Sequence, residues 1–139
     1  MQVREGGCLC GRVRYRMSGK PAFVTACHCR FCQKRTGAAF GMAAYVPKAQ
    51  VEFLSGAMKP YEYKSDETGR WLRMEHCENC GTTVTWTLEV FPELRALAAG
   101  TFDDPKWLKP ERHVWTRSGH EWMRFPEGVQ VFEKGRPVS

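Results

Sequence analysis

The feature that most constrains this chain is the grouping of its cysteines. All seven cysteines fall into three short clusters. The central cluster is the run Cys27-His28-Cys29-Arg30-Phe31-Cys32, and the flanking pairs are Cys8-Leu9-Cys10 and Cys77-Glu78-Asn79-Cys80. Because no cysteine lies outside these clusters, we expect the thiols to act in groups.

The beginning of the sequence, residues 1–7, has no apolar run of the kind that a secretory signal requires. We therefore expect a cytoplasmic protein, in which thiols stay reduced and CxC or CxxC spacings indicate metal or redox sites. An odd number of cysteines also cannot pair completely as disulfides. Two zinc ions account for both features, because a closed structural site takes four ligands and a catalytic site takes three.

The spacing of the cysteines predicts which of them share a metal ion. Tetrahedral zinc with Zn–S distances of about 2.3 Å separates its sulfur ligands by about 3.8 Å, which a CxxC loop or a CxC on one strand face can span. The segment Cys27, Cys29 and Cys32 supplies three ligands by itself. The remaining four form a natural structural set that ties the N-terminal strand to the middle of the chain: Cys8, Cys10, Cys77 and Cys80.

Two alternatives remain open for these clusters. The outer pairs are also compatible with a redox dithiol or with unrelated buried thiols. The central triplet is also compatible with a second closed site whose fourth ligand is a histidine. The candidates for that ligand are His28, His76, His113 and His120. In an extended backbone, however, His28 would face away from its two cysteine neighbours.

The composition is that of one soluble domain over residues 1–139, since 42% of the residues are hydrophobic and 26% are charged. No apolar run approaches the roughly 18 residues of a membrane span. The formal net charge of +6 counts thiols as neutral, and seven thiolates on two Zn²⁺ ions would lower it to about +3. The basic residues are also dispersed, so we expect neither a membrane nor nucleic acid as the main partner.

Alternating polarity and frequent glycine or proline breaks predict an all-β protein with several small twisted antiparallel sheets and short helical turns. Arg12, Arg14 and Arg16 alternate with apolar residues, as in a half-buried strand. Further strands are predicted at 22–26, 40–46, 51–54, 59–64, 71–76, 82–88, 94–99, 113–115 and 129–132, with one helical turn at 105–108. We expect four tryptophans in the core: Trp86, Trp107, Trp115 and Trp122.

One short helix is predicted over residues 31–36, closed by Gly37. It would place Cys29 and Cys32 at its N-terminal end, where backbone N–H groups favour thiolate. The polar residues Lys34 and Arg35 on the same turn are compatible with a solvated helix end or with an anion-attracting rim beside the metal.

The ordered cysteine motifs resemble those of the glutathione-dependent formaldehyde-activating enzyme (GFA) family, which includes centromere protein V. The resemblance spans residues 5–125, and Pro110, His113 and Trp122 fit the C-terminal pattern more loosely. The motifs that carry it are Gly7-Cys8-Leu9-Cys10-Gly11, the run 27–32 with Gly37, Tyr63-Lys64-Ser65, Cys77-Glu78-Asn79-Cys80-Gly81-Thr82, and Gly100-Thr101-Phe102-Asp103-Asp104-Pro105.

The resemblance implies a β-tent fold, shared with R-type methionine sulfoxide reductases, and two zinc ions. It assigns the outer pairs to a structural zinc and the triplet Cys27, Cys29 and Cys32 to a catalytic zinc, in agreement with the spacing. One departure is His76, where the family usually has Phe before the second CxxC. That departure keeps His76 as a candidate fourth ligand.

The reaction implied by the resemblance is condensation of glutathione with formaldehyde to S-hydroxymethylglutathione, a carbon–sulfur lyase activity. Another thiol or aldehyde, a thiol-binding carrier without turnover, and a zinc-stabilised interaction module remain alternatives. An open tri-thiolate zinc would carry a net charge of about −1, so anionic glutathione needs cations nearby. We predict that Lys34 and Arg35 contact its carboxylates, with Arg30 as a third candidate.

Overall fold

The structure is a computed structural model that describes residues 1–136, so the last three residues of the predicted 1–139 domain lie outside the described part. Strands make up 43% of it and helices 12%. The predicted all-β class with short helical turns is therefore confirmed.

The described chain contains eleven strands, one α-helix and three single-turn 3-10 helices. The strands are β1 Val3–Gly7, β2 Arg14–Ser18, β3 Phe23–Cys27, β4 Gly41–Pro47, β5 Val51–Ser55, β6 Met58–Lys64, β7 Trp71–Cys77, β8 Thr83–Leu88, β9 Leu94–Ala98, β10 Arg112–Val114 and β11 Gln130–Val131. The helix α1 is Arg30–Thr36, and the 3-10 turns are Lys48–Gln50, Ala99–Thr101 and Thr116–Ser118. No helix in residues 1–136 has both the length and the apolar character needed to cross a membrane.

The strands form two sheets. A three-stranded antiparallel sheet has the order β1-β2-β5, and an eight-stranded sheet has the order β11-β10-β3-β4-β9-β8-β7-β6. Most neighbours in the larger sheet are antiparallel, but β10 runs parallel to both β3 and β11. The sequence did not predict these parallel pairs, because β10 has only three residues and the pairing depends on contacts that are distant in sequence.

The main core lies where β2 packs its apolar side chains against one face of the eight-stranded sheet. Tyr15 and Met17 of β2 are fully buried, as are Val46 and Leu97 of the larger sheet. The intervening arginines face outward, and Arg14 donates hydrogen bonds to the Asp103 carboxylate at 2.8 and 2.5 Å. The alternation predicted for this stretch is therefore confirmed.

The opposite face of the larger sheet, which we call the outer face, carries a smaller apolar cluster. Ala43, Trp86 and Ala96 are buried there, and Tyr45 packs against them. Along β4, residues 44 and 46 belong to the main core and residues 43 and 45 to the outer face. The period-two alternation of a strand thus separates the stabilising core from the face that adjoins the candidate site.

The tryptophan predictions are partly wrong. Trp86 is buried, and Trp107 is partly buried against the main core. Trp122, in contrast, is 65% exposed and stacks on the ring of His120. At the predicted helical turn 105–108, the Leu108 N–H donates to the Pro105 carbonyl at 3.0 Å, so the chain makes a hydrogen-bonded turn there but not a helix. A tryptophan in a loop can stack on one neighbouring ring and stay exposed, and local sequence does not distinguish this arrangement from burial in the core.

We expect Leu97→Ala to destabilise the protein by about 2–5 kcal/mol, because it removes a fully buried side chain and leaves a cavity. The matched control is Leu54→Ala, since Leu54 is 40% exposed on β5 and its truncation should cost within about 1 kcal/mol. Urea unfolding followed by circular dichroism measures both. Equal losses for the two variants would contradict the assigned core.

Candidate metal centres and the adjoining pocket

The four cysteines of the outer pairs meet between the β1–β2 connection and the β7–β8 turn. Their sulfur atoms all lie within 4.8 Å of one another. The Cys8 and Cys10 sulfurs are 3.6 Å apart, and the Cys10 and Cys77 sulfurs are 3.8 Å apart. These separations match the roughly 3.8 Å expected between the thiolate ligands of tetrahedral zinc.

Two similar turns hold these cysteines. In the first turn the Gly11 N–H donates to the Cys8 carbonyl at 3.1 Å, and in the second the Gly81 N–H donates to the Cys77 carbonyl at 2.9 Å. Both glycines have positive φ angles, of 85° and 80°, which L side chains rarely adopt. The sequence Cys-x-Cys-Gly and the sequence Cys-x-x-Cys-Gly therefore each reverse the chain directly after presenting two thiols.

Hydrogen bonds to these sulfurs favour thiolate at the four-cysteine cluster. The Val13 N–H donates to the Cys8 sulfur at 3.2 Å. The hydroxyl of Thr82 lies 3.2 Å from the Cys80 sulfur, and this hydrogen bond contributes most to lowering the pKa of Cys80, to about 5. Four sulfur donors this close together are compatible with a metal ion, and zinc in particular prefers this donor set.

The central triplet forms a second cluster, on the outer face. Cys27 is the last residue of β3, Cys29 is the N-cap of α1, and Cys32 lies in the first turn of that helix. Their sulfurs also lie within 4.8 Å of one another. The helix ends at Gly37, which has a φ of 67°. The predicted helix is therefore confirmed, with its first residue one position earlier.

The three thiols of the triplet share negative charge unequally. Hydrogen bonds from Cys27 and then Cys32, together with the Cys32 N–H at 3.3 Å, lower the pKa of Cys29 to about 3. Hydrogen bonds with Cys29 and then Cys32, together with burial, raise the pKa of Cys27 well above its usual value. A cation at the centre of the triplet would stabilise all three thiolates, and an all-sulfur donor set is compatible with zinc.

Within residues 1–136, no histidine or carboxylate joins the triplet as a fourth ligand. His28 is fully buried and points away from the sulfurs, as predicted, with its Nε2 2.9 Å from Nδ1 of His113. His76 lies on β7 opposite Lys59 and Thr83. Among residues 1–136, the triplet therefore offers three sulfur donors with no fourth donor beside them.

The triplet lines a pocket of about 450 Å³. Its floor is the outer face of β3, β4 and β10, and its sides are α1 and the 65–70 loop. The rings of Phe31 and Tyr63 stack with centroids 4.0 Å apart, which joins the helix to the end of β6. A cavity of this size next to three convergent thiols has room for a small peptide-like ligand.

The pocket carries more basic than acidic residues. The acidic lining residues are Asp66 and Glu67, and Glu67 forms an ion pair with Arg117. The basic lining residues are Arg30, Arg35, Arg70, Arg112 and Arg136. Such an excess of positive charge attracts anionic ligands and offsets the negative charge of the thiolates.

Of the two residues that were predicted to contact glutathione, only Arg35 lies in the pocket. Arg35 lines the pocket, with its guanidinium carbon 4.3 Å from the centroid of the Trp86 ring. A Cβ on Gly41, which pairs with Cys27, would lie only 2.6 Å from an Arg35 nitrogen. Lys34 is exposed and does not line the pocket, because successive residues of a helix point in different directions.

Sequence reasoning missed other residues of the pocket. Thr25 precedes Cys27 by two positions on β3, so the strand period could have placed it on the same face. Arg112 lies opposite Thr25 in the parallel pair of β10 with β3. No local pattern indicates that contact, since the two residues are far apart in sequence.

Comparison with known proteins identifies the family. The structure is similar to the crystal structure of a Rhodobacter sphaeroides protein, with a TM-score of 0.56 and 23% identity over 76% of this chain and 91% of that one. This similarity supports the fold alone, and no curated protein matches the chain. The family model for the glutathione-dependent formaldehyde-activating enzyme matches residues 3–118. The chain, with its two cysteine clusters and its pocket, therefore belongs to the glutathione-dependent formaldehyde-activating enzyme family.

Proposed function

We propose that this protein is a zinc-dependent carbon–sulfur lyase that condenses glutathione with formaldehyde to S-hydroxymethylglutathione. The observation that carries the proposal is the triplet of thiols, which faces a 450 Å³ pocket and has no fourth protein ligand among the described residues. Family membership supports a glutathione-linked reaction of formaldehyde in general. The pocket side of the triplet is where a thiol ligand would enter.

The two cysteine clusters are proposed to hold zinc in different roles. Cys8, Cys10, Cys77 and Cys80 would hold a structural ion, because their four sulfurs lie within 4.8 Å of one another and come from distant segments. Cys27, Cys29 and Cys32 would hold the second ion. When bound there, zinc would lower the pKa of an incoming thiol or polarise an aldehyde oxygen.

The side chains around the triplet are proposed to bind and orient glutathione. The Arg35 guanidinium, held between Trp86 and the Gly41 backbone, would pair with a carboxylate of glutathione. Lys34 is exposed and does not line the pocket, so the proposal for carboxylate binding relies on Arg35. The cytoplasm is the proposed location, because thiolate ligation needs reduced cysteines.

Two zinc ions per chain are expected, one in each cluster. Elemental analysis of protein purified without chelators should give close to two zinc ions per chain, together with thiols that resist modification until the metal is removed. One zinc ion or none in protein with reduced, reactive thiols would contradict the division into sets of four and three.

Loss of one ligand should affect the two clusters differently. Cys8→Ser or Cys80→Ser is expected to lower Tm sharply or to prevent soluble expression, because the metal there joins two sheets. Cys29→Ser should leave the fold largely intact, since the triplet is local and serine remains a good N-cap for α1. Thermal unfolding measures both. A loss of stability for Cys29→Ser as large as that for Cys8→Ser would assign a structural role to the triplet.

Glutathione is expected to bind through its sulfur, so titration calorimetry should show much weaker binding of S-methylglutathione. Arg35→Ala should weaken glutathione binding by about tenfold or more, because a charge-assisted hydrogen bond is lost. Lys34→Ala is the matched control on the same turn and should change little. Equal affinities for glutathione and S-methylglutathione would exclude binding through the sulfur.

Turnover distinguishes an enzyme from a carrier. With ¹³C-formaldehyde and glutathione, NMR should show that the protein accelerates formation of the S-hydroxymethyl adduct above the uncatalysed rate, and that Cys29→Ser abolishes the acceleration. Glutathione binding without acceleration would favour the non-catalytic carrier, and the absence of binding would favour a different thiol or the interaction module.

A further inference from the structure

Two buried polar groups in the floor of the pocket have no hydrogen-bond partner in the described structure. They are the hydroxyl oxygen of Thr25 and Nε of Arg112. The two residues are only 7% and 8% exposed, and both line the pocket. A buried polar atom without a partner is unfavourable, because it has lost its hydrogen bonds to water and has gained none in return. The pairing of two such atoms in one place therefore indicates a ligand that satisfies them.

The strand register brings the two groups together. Thr25 of β3 lies directly opposite Arg112 of β10 in the parallel pair, and its other neighbour, on β4, is the small residue Ala43. The Arg112 guanidinium carbon lies 4.1 Å from the centroid of the Phe23 ring, which holds the side chain along the floor. The register thus places the Thr25 hydroxyl and the Arg112 guanidinium at adjacent positions of the floor, beside a short side chain.

The two groups are hydrogen-bond donors and one of them is positively charged, so they favour an anionic ligand. The Nε–H of Arg112 is a donor only, and the Thr25 hydroxyl can donate as well. No carboxylate among residues 1–136 forms an ion pair with Arg112. Burial and the nearby charge of Arg136 lower the pKa of Arg112, so an entering anion would relieve an unfavourable environment.

From this geometry we infer that Thr25 and Arg112 form a carboxylate-binding subsite, which selects thiols that carry a carboxylate at a fixed distance from their sulfur. The inference rests on the proposed function in one respect, namely that the thiol sulfur binds at the triplet. The subsite itself is independent of which thiol is the natural substrate.

The strand geometry sets the distance. Thr25 and Cys27 are two positions apart on the same face of β3, so their Cα atoms are separated by about 7 Å. In glutathione, six covalent bonds separate the sulfur from the glycine carboxylate carbon, which spans about 7 Å when extended. On this scale the glycine carboxylate can lie beside Thr25 when the glutathione sulfur lies beside Cys27. A carboxylate on the cysteine residue itself is only three bonds from the sulfur, and this spacer is too short to reach the subsite.

Simple thiols test the subsite without assuming that glutathione is the substrate. The probes are 6-mercaptohexanoate, which has six bonds between sulfur and carboxyl carbon, 3-mercaptopropionate, which has three, and the uncharged 6-mercaptohexanol. Glutathione and its glycine monoethyl ester form a second matched pair. Each is titrated by calorimetry into the full chain as purified, with its zinc content measured, and into Arg112→Gln and Thr25→Val.

We expect the wild-type protein to bind 6-mercaptohexanoate about tenfold or more tightly than 6-mercaptohexanol. Arg112→Gln should abolish this preference while leaving the affinity for the alcohol unchanged, and Thr25→Val should reduce it. The affinity of 3-mercaptopropionate should be insensitive to both substitutions. If Arg112→Gln fails to fold, Thr25→Val decides, because it replaces the hydroxyl with a methyl group of similar size.

Equal affinities for the C6 acid and the C6 alcohol in the wild-type protein would overturn the subsite, and so would a preference that survives in both variants. Failure of all the thiols to bind would overturn it as well. If the C6 acid is preferred but glutathione and its ester bind equally or not at all, the subsite stands and the proposed substrate fails. The two proposals are therefore distinguishable.

Discussion

The four-cysteine cluster is the contact on which the rest of the structure depends. It joins the connection between β1 and β2, in the three-stranded sheet, to the turn between β7 and β8, in the larger sheet. Cys8 and Cys77 are themselves buried members of the main core. A metal ion held there would contribute its binding free energy to the same interface that the apolar side chains of β2 stabilise.

The two faces of the larger sheet have different roles: one packs in the main core, and the other lines the pocket. On β3, Val24 and Ala26 are buried on the core side, whereas Thr25 and Cys27 line the pocket on the other. Because side chains of a strand alternate strictly, a shift of one residue in register would move the thiol into the core and a valine into the pocket. The packing of the main core therefore also positions the triplet.

Charge balance explains why the pocket combines thiolates with arginines. Three thiolates around one divalent cation leave a net negative charge, which would repel an anionic thiol. Arg35 on α1 and Arg112 on β10 both line the pocket next to the triplet, and aromatic rings hold both guanidinium groups in place. Stacking on a ring fixes the direction of an arginine without neutralising its charge, so both remain available to a ligand.

The sequence by itself determined the features that depend on local spacing. The positions of the cysteines predicted the two groups of sulfurs, Gly37 predicted the end of α1, and alternation predicted the buried residues of β2. Only the tertiary structure decided that β10 pairs with β3 and brings Arg112 beside Thr25, that Lys34 lies outside the pocket, and that Trp122 is exposed. The physical reason is that hydrophobic periodicity and motif spacing depend only on residues that are close in sequence. Strand pairing between distant segments depends on how the whole core packs.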